Sequence, residues 1–253
     1  MKQLSAVDVT KRFGGLVAVD GVSLDVSPGE TVALVGESGS GKSTLGRLLV
    51  GLVRPSGGLI RYGESVLAEM SRGDLAEFRR DVQIIFQDPY ASLNPRITVG
   101  SMLREVFKVH GLAEGNAAVT RAAALLDRVG LDPAAARRYP HEFSGGQRQR
   151  LGIARALAVE PRIIVADEPV SALDVSVQAK ILGLLTELQS EFDLGYLFIS
   201  HDLAVVRRLA DRVVVMRDGH VVEAGSAAAV YSAPANDYTR ALLAAVPTLP
   251  RAT

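Results

Sequence analysis

The stretch GESGSGKST, residues 36–44, decides the fold of this chain. It follows TVALVG, residues 31–36, an apolar run typical of a buried strand, and leads into residues 42–53, where apolar side chains recur at helical spacing. A strand, a glycine-rich loop and a helix in this order bind phosphate, because successive backbone N–H groups and the positive end of the helix face the phosphate oxygens. The stretch therefore predicts a nucleotide site.

Each residue type in this loop has a chemical reason to be there. Glycine lets the backbone take the conformations that turn several amides toward one anion. Lys42 is expected to reach the β- and γ-phosphates, and the Ser43 hydroxyl to ligate Mg²⁺. The residues predicted to hold ATP here are Gly36, Glu37, Ser38, Gly39, Ser40, Gly41, Lys42, Ser43 and Thr44. The alternative is a glycine-rich turn beside a chance Lys-Ser pair, which leaves the flanking strand and helix unexplained.

A pair of acids follows a second apolar run, in RIIVADEP, residues 162–169. The carboxyl ends of strands in an open parallel sheet face the ligand crevice. We expect Asp167 to hold Mg²⁺ and Glu168 to act as general base toward the attacking water. Taken alone, the two acids could equally be solvated or cap the next helix.

Composition restricts the partners and the compartment. Lysine plus arginine equals aspartate plus glutamate at 28 each in 253 residues, so no net charge draws the chain to nucleic acid. Cysteine is absent, which excludes disulfides and cysteine-ligated metal centres. No apolar run approaches the ~18 to 20 residues that span a bilayer, and the start does not resemble a signal peptide. We therefore expect a cytoplasmic chain that works at a membrane only through a spanning partner.

The order of patterns predicts an α/β fold: a P-loop NTPase core with a mostly parallel sheet, an antiparallel β region at the N-terminus and an inserted α-helical subdomain. Asp20-Gly21 and Asp218-Gly219 are expected to be hairpin turns. We predict one domain, 1–253, with its α/β core at about 1–87 and 159–225, the helical subdomain at about 88–158 and a short helical tail at about 226–253. Later strands are expected at Leu59 to Tyr62, Val82 to Phe86, Ile163 to Ala166, Tyr196 to Ile199 and Arg212 to Met216.

A second phosphate cradle is predicted in FSGGQRQRLGIARAL, residues 143–157, where a serine and two glycines precede a helical pattern. One nucleotide needs only one such loop. Three further motifs accompany it: Gln87 in IIFQD, SALD at residues 171–174 and His201 in FISHD. In this order and spacing the set resembles the ATP-binding subunit of ATP-binding cassette (ABC) transporters, over nearly the whole chain.

The resemblance explains the second cradle. In this family two cassettes pack head to tail, and each ATP lies between the phosphate loop of one and the SGGQ of the other. It implies that Ser144, Gly145, Gly146 and Gln147 bind the nucleotide of a second ABC subunit, identical or paralogous.

The same resemblance assigns roles to four single residues. Gln87 touches Mg²⁺ and the attacking water, and His201 contacts the γ-phosphate and steadies Glu168. Asp174 crosses the dimer interface, although it could also be the N-cap of a helix that begins at Val175. Phe13 stacks on adenine, although a single phenylalanine could instead be part of the hydrophobic core.

A longer stretch, QDPYASLNPR at residues 87–96, resembles the oligopeptide, dipeptide and nickel importers. The resemblance implies two transmembrane permease subunits, an extracytoplasmic solute-binding protein and a position at the cytoplasmic face of the membrane. Many peptide importers carry a C-terminal cysteine cluster that this chain lacks, so nickel or another small solute stays open. Two other functions fit the sequence less well. A cassette that acts on DNA or ribosomes would carry a coiled coil or a second cassette, and this sequence shows neither. A small-molecule kinase would leave SGGQ and SALD unexplained.

Overall fold

The computed structural model describes residues 2–88 and 93–245. The strands are β1 Leu4–Phe13, β2 Leu16–Val26, β3 Thr31–Val35, β4 Gly57–Tyr62, β5 Ser65–Val66, β6 Val82–Ile85, β7 Ile163–Asp167, β8 Gly195–Ser200, β9 Arg212–Arg217 and β10 His220–Ser226. The helices are α1 Lys42–Leu49, α2 Arg72–Asp81, α3 Val99–Val109, α4 Gly115–Arg128, α5 Gly145–Leu157, α6 Val175–Phe192, α7 Leu203–Leu209, α8 Ala227–Ser232 and α9 Asp237–Ala244. Four residues of QDPYASLNPR, 89–92, lie outside the described part.

The chain forms two compact units, Met1–Met70 with Gly195–Thr253, and Ser71–Leu194. In the first unit, β2, β1, β4 and β5 form an antiparallel sheet in that order. A second set follows the order β10, β9, β3, β8, with β3 parallel to both β8 and β9. Every residue of β3 and β8 is buried, which fits their continuous apolar sequence. The predicted parallel core and antiparallel N-terminal region are both present.

One hairpin prediction is confirmed. Asp218 and Gly219 connect β9 to β10, and the flanking residues Arg217 and His220 pair directly. Both turn residues have positive φ, 48° and 83°, as a two-residue turn that follows the twist of its strands requires.

The other hairpin prediction is wrong. β2 runs through Asp20-Gly21 as one strand, and the chain reverses earlier, where Phe13 pairs with Leu16. Gly21 does have positive φ, 60°, but its N–H donates to the Thr10 hydroxyl of the neighbouring strand. The ladder loses its register there and then continues, so the Asp-Gly pair marks an irregularity within a strand.

In the second unit, β6 and β7 pair in parallel. The predicted helical patterns appear as α3, α4 and α5, with two 3₁₀ turns between α4 and α5, and no strand occurs among the described residues between β6 and β7. Their largest fully buried side chains include Phe107, Leu126 and Leu151. The boundaries of an inserted subdomain stay a prediction. In the described part of the chain, no helix is both long and apolar enough to cross a membrane.

Candidate active site

The loop between β3 and α1 has the close backbone approach that only glycine permits. Gly36, Gly39 and Gly41 all have positive φ, at 151°, 83° and 102°. A Cβ on Gly36 would lie 2.1 Å from the carbonyl oxygen of Met216, and one on Gly41 would lie 2.3 Å from that of Ala18. At Gly39 nothing is near, so the positive φ alone explains the glycine. The curled loop predicted from the sequence is present.

Lys42 lies against this loop with only 4% of its surface exposed. Its Nζ donates to the carbonyl oxygens of Gly36 at 2.8 Å and Glu37 at 2.7 Å, and to Ser40 Oγ at 3.3 Å. A buried ammonium needs such acceptors, and phosphate oxygens are stronger ones. Lys42 is therefore placed to exchange loop carbonyls for phosphate. Ser43 and Thr44 follow it in the first turn of α1, while Glu37 and Ser38 are exposed.

In the second unit, the end of β7 brings a carboxylate and an amide together. Asp167 is the last residue of the strand and only 2% exposed, and Glu168 follows it. The Glu168 carboxylate accepts a hydrogen bond from Gln87 Nε2 at 3.1 Å, and the same nitrogen lies 3.4 Å from Ser171 Oγ. The predicted base and the predicted water-contacting glutamine thus lie side by side.

Glu168 also has an unusual backbone, with φ at 47°. Such a conformation costs a non-glycine residue on the order of 1 kcal/mol and needs support from its surroundings. Ser171 supplies it, because its N–H and its hydroxyl both donate to the Glu168 carbonyl, at 3.3 and 3.2 Å. Sequence reasoning missed this role of Ser171, although its place at the start of SALD was the available signal.

The predicted second cradle is the N-terminus of α5. Ser144 caps this helix in a reciprocal pair with Gln147: the Ser144 hydroxyl accepts from the Gln147 N–H at 3.4 Å, and Gln147 Oε1 accepts from the Ser144 N–H at 3.0 Å. A Cβ on Gly146 would lie 2.4 Å from Val177 Cγ1, whereas one on Gly145 would meet only Leu173 Cδ2, at 3.6 Å. Gly146 therefore allows α5 and α6 to pack closely at their starts.

Asp174 is the N-cap of α6, which is one of the two roles that the sequence suggested for it. Its Oδ1 accepts from the Val177 N–H at 2.9 Å and from the Ser176 hydroxyl at 2.8 Å. These hydrogen bonds, the Val177 amide first, lower the pKa of the Asp174 carboxyl. Val175 beside it is 81% exposed. The role of Asp174 across a dimer interface stays a prediction.

Phe13 and His201 are both accessible. Phe13 ends β1 and is 49% exposed, so it does not lie in the core, and Lys11 Nζ lies 5.0 Å from its ring centroid. His201 comes directly after β8 and is exposed, and Asp202 then caps α7. Contacts of these side chains with adenine and γ-phosphate stay predictions.

One contact of the phosphate loop had no sequence signal. The N–H of Glu37 donates to the hydroxyl of Tyr238 at 3.1 Å. Tyr238 lies on α9, 201 residues further along the chain. The sequence shows α9 only as a short amphipathic helix, without indicating what it touches.

These features fit a magnesium nucleotide. The loop curls so tightly that a Cβ at Gly36 or Gly41 would collide with the backbone of Met216 or Ala18, and a buried ammonium lies beside it. The Ser43 hydroxyl and the Asp167 carboxylate are oxygen donors of the kind Mg²⁺ uses beside substrate phosphates. Fold and site together define a P-loop nucleotide-binding protein.

The chain belongs to the ABC transporter family, whose model matches residues 19–171. Among curated relatives, the glutathione import ATP-binding protein GsiA of Escherichia coli strain K12 is 58% identical over 230 residues, and that of Shigella flexneri equally so. Each alignment covers 91% of this chain and 37% of the relative. The chain thus spans little more than a third of the length of these relatives.

Solved structures confirm the ABC ATPase fold. The dimeric cassette MJ0796 bound to ADP and Pi matches with a TM-score of 0.78 and 32% identity, over 88% of this chain and 98% of that one. The cassette cbiO1 of Clostridium perfringens, part of the transporter complex cbiONQ, matches with a TM-score of 0.78 and 28% identity, over 91% and 90%. ATP and Mg²⁺ are the cofactors expected for this family.

Proposed function

We propose that this chain is the ATP-binding and ATP-hydrolysing subunit of a membrane importer. The observation that carries the proposal is the hydrogen bond from Gln87 to Glu168 at the carboxyl end of β7, directly after the buried Asp167. A carboxylate that a hydrogen bond orients at the edge of the sheet is suited to act as general base toward water. Family membership and the phosphate loop indicate that the water activated by this base attacks bound ATP.

Each predicted residue has a part in this reaction. The loop amides and Lys42 bind the phosphates, and Ser43 and Asp167 would hold Mg²⁺, which would neutralise the charge that develops during transfer. Glu168 takes the proton of the attacking water. Gln87 orients this carboxylate and His201 contacts the γ-phosphate.

We further propose that two cassettes share each nucleotide. The N-terminus of α5, with Ser144 as its cap, would bind the γ-phosphate held by the phosphate loop of a second cassette, identical or paralogous. Only a nucleotide that retains its γ-phosphate bridges both cradles, so hydrolysis loosens the pair and turns chemistry into motion. The dimeric state of the cassette MJ0796 supports this arrangement.

The proposal extends to the partners and the solute. We propose two transmembrane permease subunits, an extracytoplasmic solute-binding protein and a position at the cytoplasmic face of the membrane. The relatives are named for glutathione import, and glutathione is a small peptide. A small peptide-like solute is therefore favoured over nickel.

The test is light scattering and ATP turnover on the full chain with Glu168→Gln. We expect ATP binding to persist, turnover to fall ~100-fold or more, and an ATP-dependent dimer to accumulate. Lys42→Ala should lose nucleotide affinity instead. Glu160→Gln is the matched control, because Glu160 also has positive φ, 55°, but forms an exposed ion pair with Arg121. Turnover by Glu168→Gln above about a tenth of wild type would count against Glu168 as the base.

A further inference from the structure

The phosphate loop is held at Glu37 from two directions. Its carbonyl oxygen accepts from Lys42 Nζ at 2.7 Å, and its N–H donates to the Tyr238 hydroxyl at 3.1 Å. Lys42 belongs to the phosphate site and must change acceptors when phosphate arrives. Tyr238 comes from α9, outside the residues predicted to bind the nucleotide. The hydrogen bond between the Glu37 N–H and the Tyr238 hydroxyl can therefore persist when phosphate binds.

The ring of Tyr238 is itself held in place. The guanidinium carbon of Arg217 lies 4.9 Å from the ring centroid, within the range of a cation–π contact. Arg217 is the last residue of β9 and directly follows Met216, whose carbonyl is in close contact with Gly36. The start of the phosphate loop and the ring of Tyr238 thus both contact the end of β9.

The N-terminus of α9 is anchored to β10. Asn236 caps the helix by accepting from the Tyr238 N–H at 2.9 Å, and its own side-chain amide donates to the Val222 carbonyl at 3.3 Å. The carboxylate of Glu223 accepts from the backbone N–H groups of Ala235 and Asn236, at 2.8 and 3.1 Å. These contacts leave α9 little freedom at the end that carries Tyr238.

From this geometry we infer that α9 sets the nucleotide affinity of the phosphate loop through the Tyr238 hydroxyl, which makes Tyr238 a positioning residue. The inference rests on the proposed function, because it assumes that the loop binds ATP. A loop already held in its binding conformation loses less entropy on binding. Without the hydroxyl, the Gly36–Glu37 end of the loop must be ordered by the nucleotide itself, at the expense of affinity.

The test is Tyr238→Phe in the full chain, which removes one oxygen and keeps the ring over which Arg217 lies. We expect the ATP dissociation constant and KM to rise about three- to tenfold, the range of one net hydrogen bond, and kcat to change less than about twofold. The matched control is Tyr231→Phe. Tyr231 also lies beneath an arginine, Arg207 at 5.8 Å, and its hydroxyl donates to the Leu203 carbonyl at 2.6 Å, outside the phosphate loop.

The outcomes separate this inference from the proposed function. Wild-type chain that fails to bind ATP would overturn both. Wild-type chain that binds ATP, with Tyr238→Phe unchanged or with Tyr231→Phe weakened equally, would overturn the inference alone. If Tyr238→Phe does not fold, Asn236→Ala gives a second reading: loss of the α9 cap should weaken ATP binding in the same direction, and unchanged affinity would contradict the inference.

Discussion

Gln87 Nε2 donates to the carboxylate of Glu168 across 3.1 Å, although 81 residues separate them in the chain. Gln87 lies just beyond β6, and Glu168 just beyond β7, which pairs with β6 in parallel. Residues that follow neighbouring parallel strands meet at one edge of the sheet. This edge therefore presents the proposed base together with the group that orients it.

Replacing Gln87 by alanine should slow the chemical step and leave binding nearly unchanged. The lost hydrogen bond is to a charged group, a class worth about 1.5 to 3 kcal/mol, so we expect kcat to fall roughly 10- to 100-fold. The ATP dissociation constant should stay within about threefold, because the phosphate loop is intact. Steady-state ATPase kinetics and an equilibrium ATP titration measure the two quantities.

Gln83→Ala is the control for this prediction. Gln83 lies on the same strand, but its side chain donates to the carbonyl of Arg79 and not to the base. Its removal should leave kcat near wild type. A Gln87→Ala enzyme with undiminished kcat would show that the hydrogen bond does not orient Glu168.

Gly146→Ala should strain the packing of α5 against α6, because the new methyl group would lie 2.4 Å from Val177 Cγ1. Overpacking of this kind costs about 1 to 3 kcal/mol of unfolding free energy. Gly145→Ala next to it meets only an ordinary contact and should be neutral or stabilising by up to ~1 kcal/mol, since alanine favours helix. Urea unfolding of each variant measures the difference.

Val177→Ala should relieve the strain of Gly146→Ala, because it removes the methyl group that the new Cβ meets. A double-mutant cycle is expected to give a coupling of about 0.5 to 3 kcal/mol between the two positions. Equal costs of Gly146→Ala in the two backgrounds would refute the contact as the reason for this glycine.

Ionisation of the Asp174 carboxyl should add to the stability of α6. Hydrogen bonds from Val177 and then Ser176 lower its pKa below the ordinary value of 3.8. The contribution is therefore present above that value and is lost as the pH falls through the lowered pKa of the folded state. Asp174→Ala should lower the urea midpoint at pH 7, and its difference from wild type should shrink below about pH 3.8.

Asp174→Asn is the companion variant, because asparagine caps a helix without a charge. Its urea midpoint should stay close to that of wild type at pH 7 and show less loss in acid. A difference between Asp174→Ala and wild type that does not change with pH would exclude the ionised cap as its source.

Local patterns were sufficient for much of the fold and for part of the site. The curled loop at residues 36–44, the buried strand before Glu168 and the helix that begins beyond Ser144 all appear where the sequence predicts them. Each depends on neighbours within a few residues, whose glycine placement and apolar spacing leave few backbone alternatives.

The two Asp-Gly pairs show that a dipeptide alone does not predict a hairpin turn. Asp218-Gly219 turns between strands, whereas Asp20-Gly21 does not, although the two dipeptides are identical. Gly21 is held by the Thr10 hydroxyl of the neighbouring strand, and that pairing keeps the chain extended. A dipeptide permits positive φ, and the strand alongside it decides whether the chain reverses.

By itself, the sequence determined the class of this protein, the loop that binds phosphate and the two acids at the carboxyl end of β7, because these are local arrangements of residue types. The tertiary structure alone decided which distant side chains meet: Gln87 with Glu168, and Tyr238 with the backbone of Glu37. The physical reason is that a hydrogen bond needs its two atoms about 3 Å apart, and strand pairing and helix packing bring such partners together across 81 and 201 residues of chain.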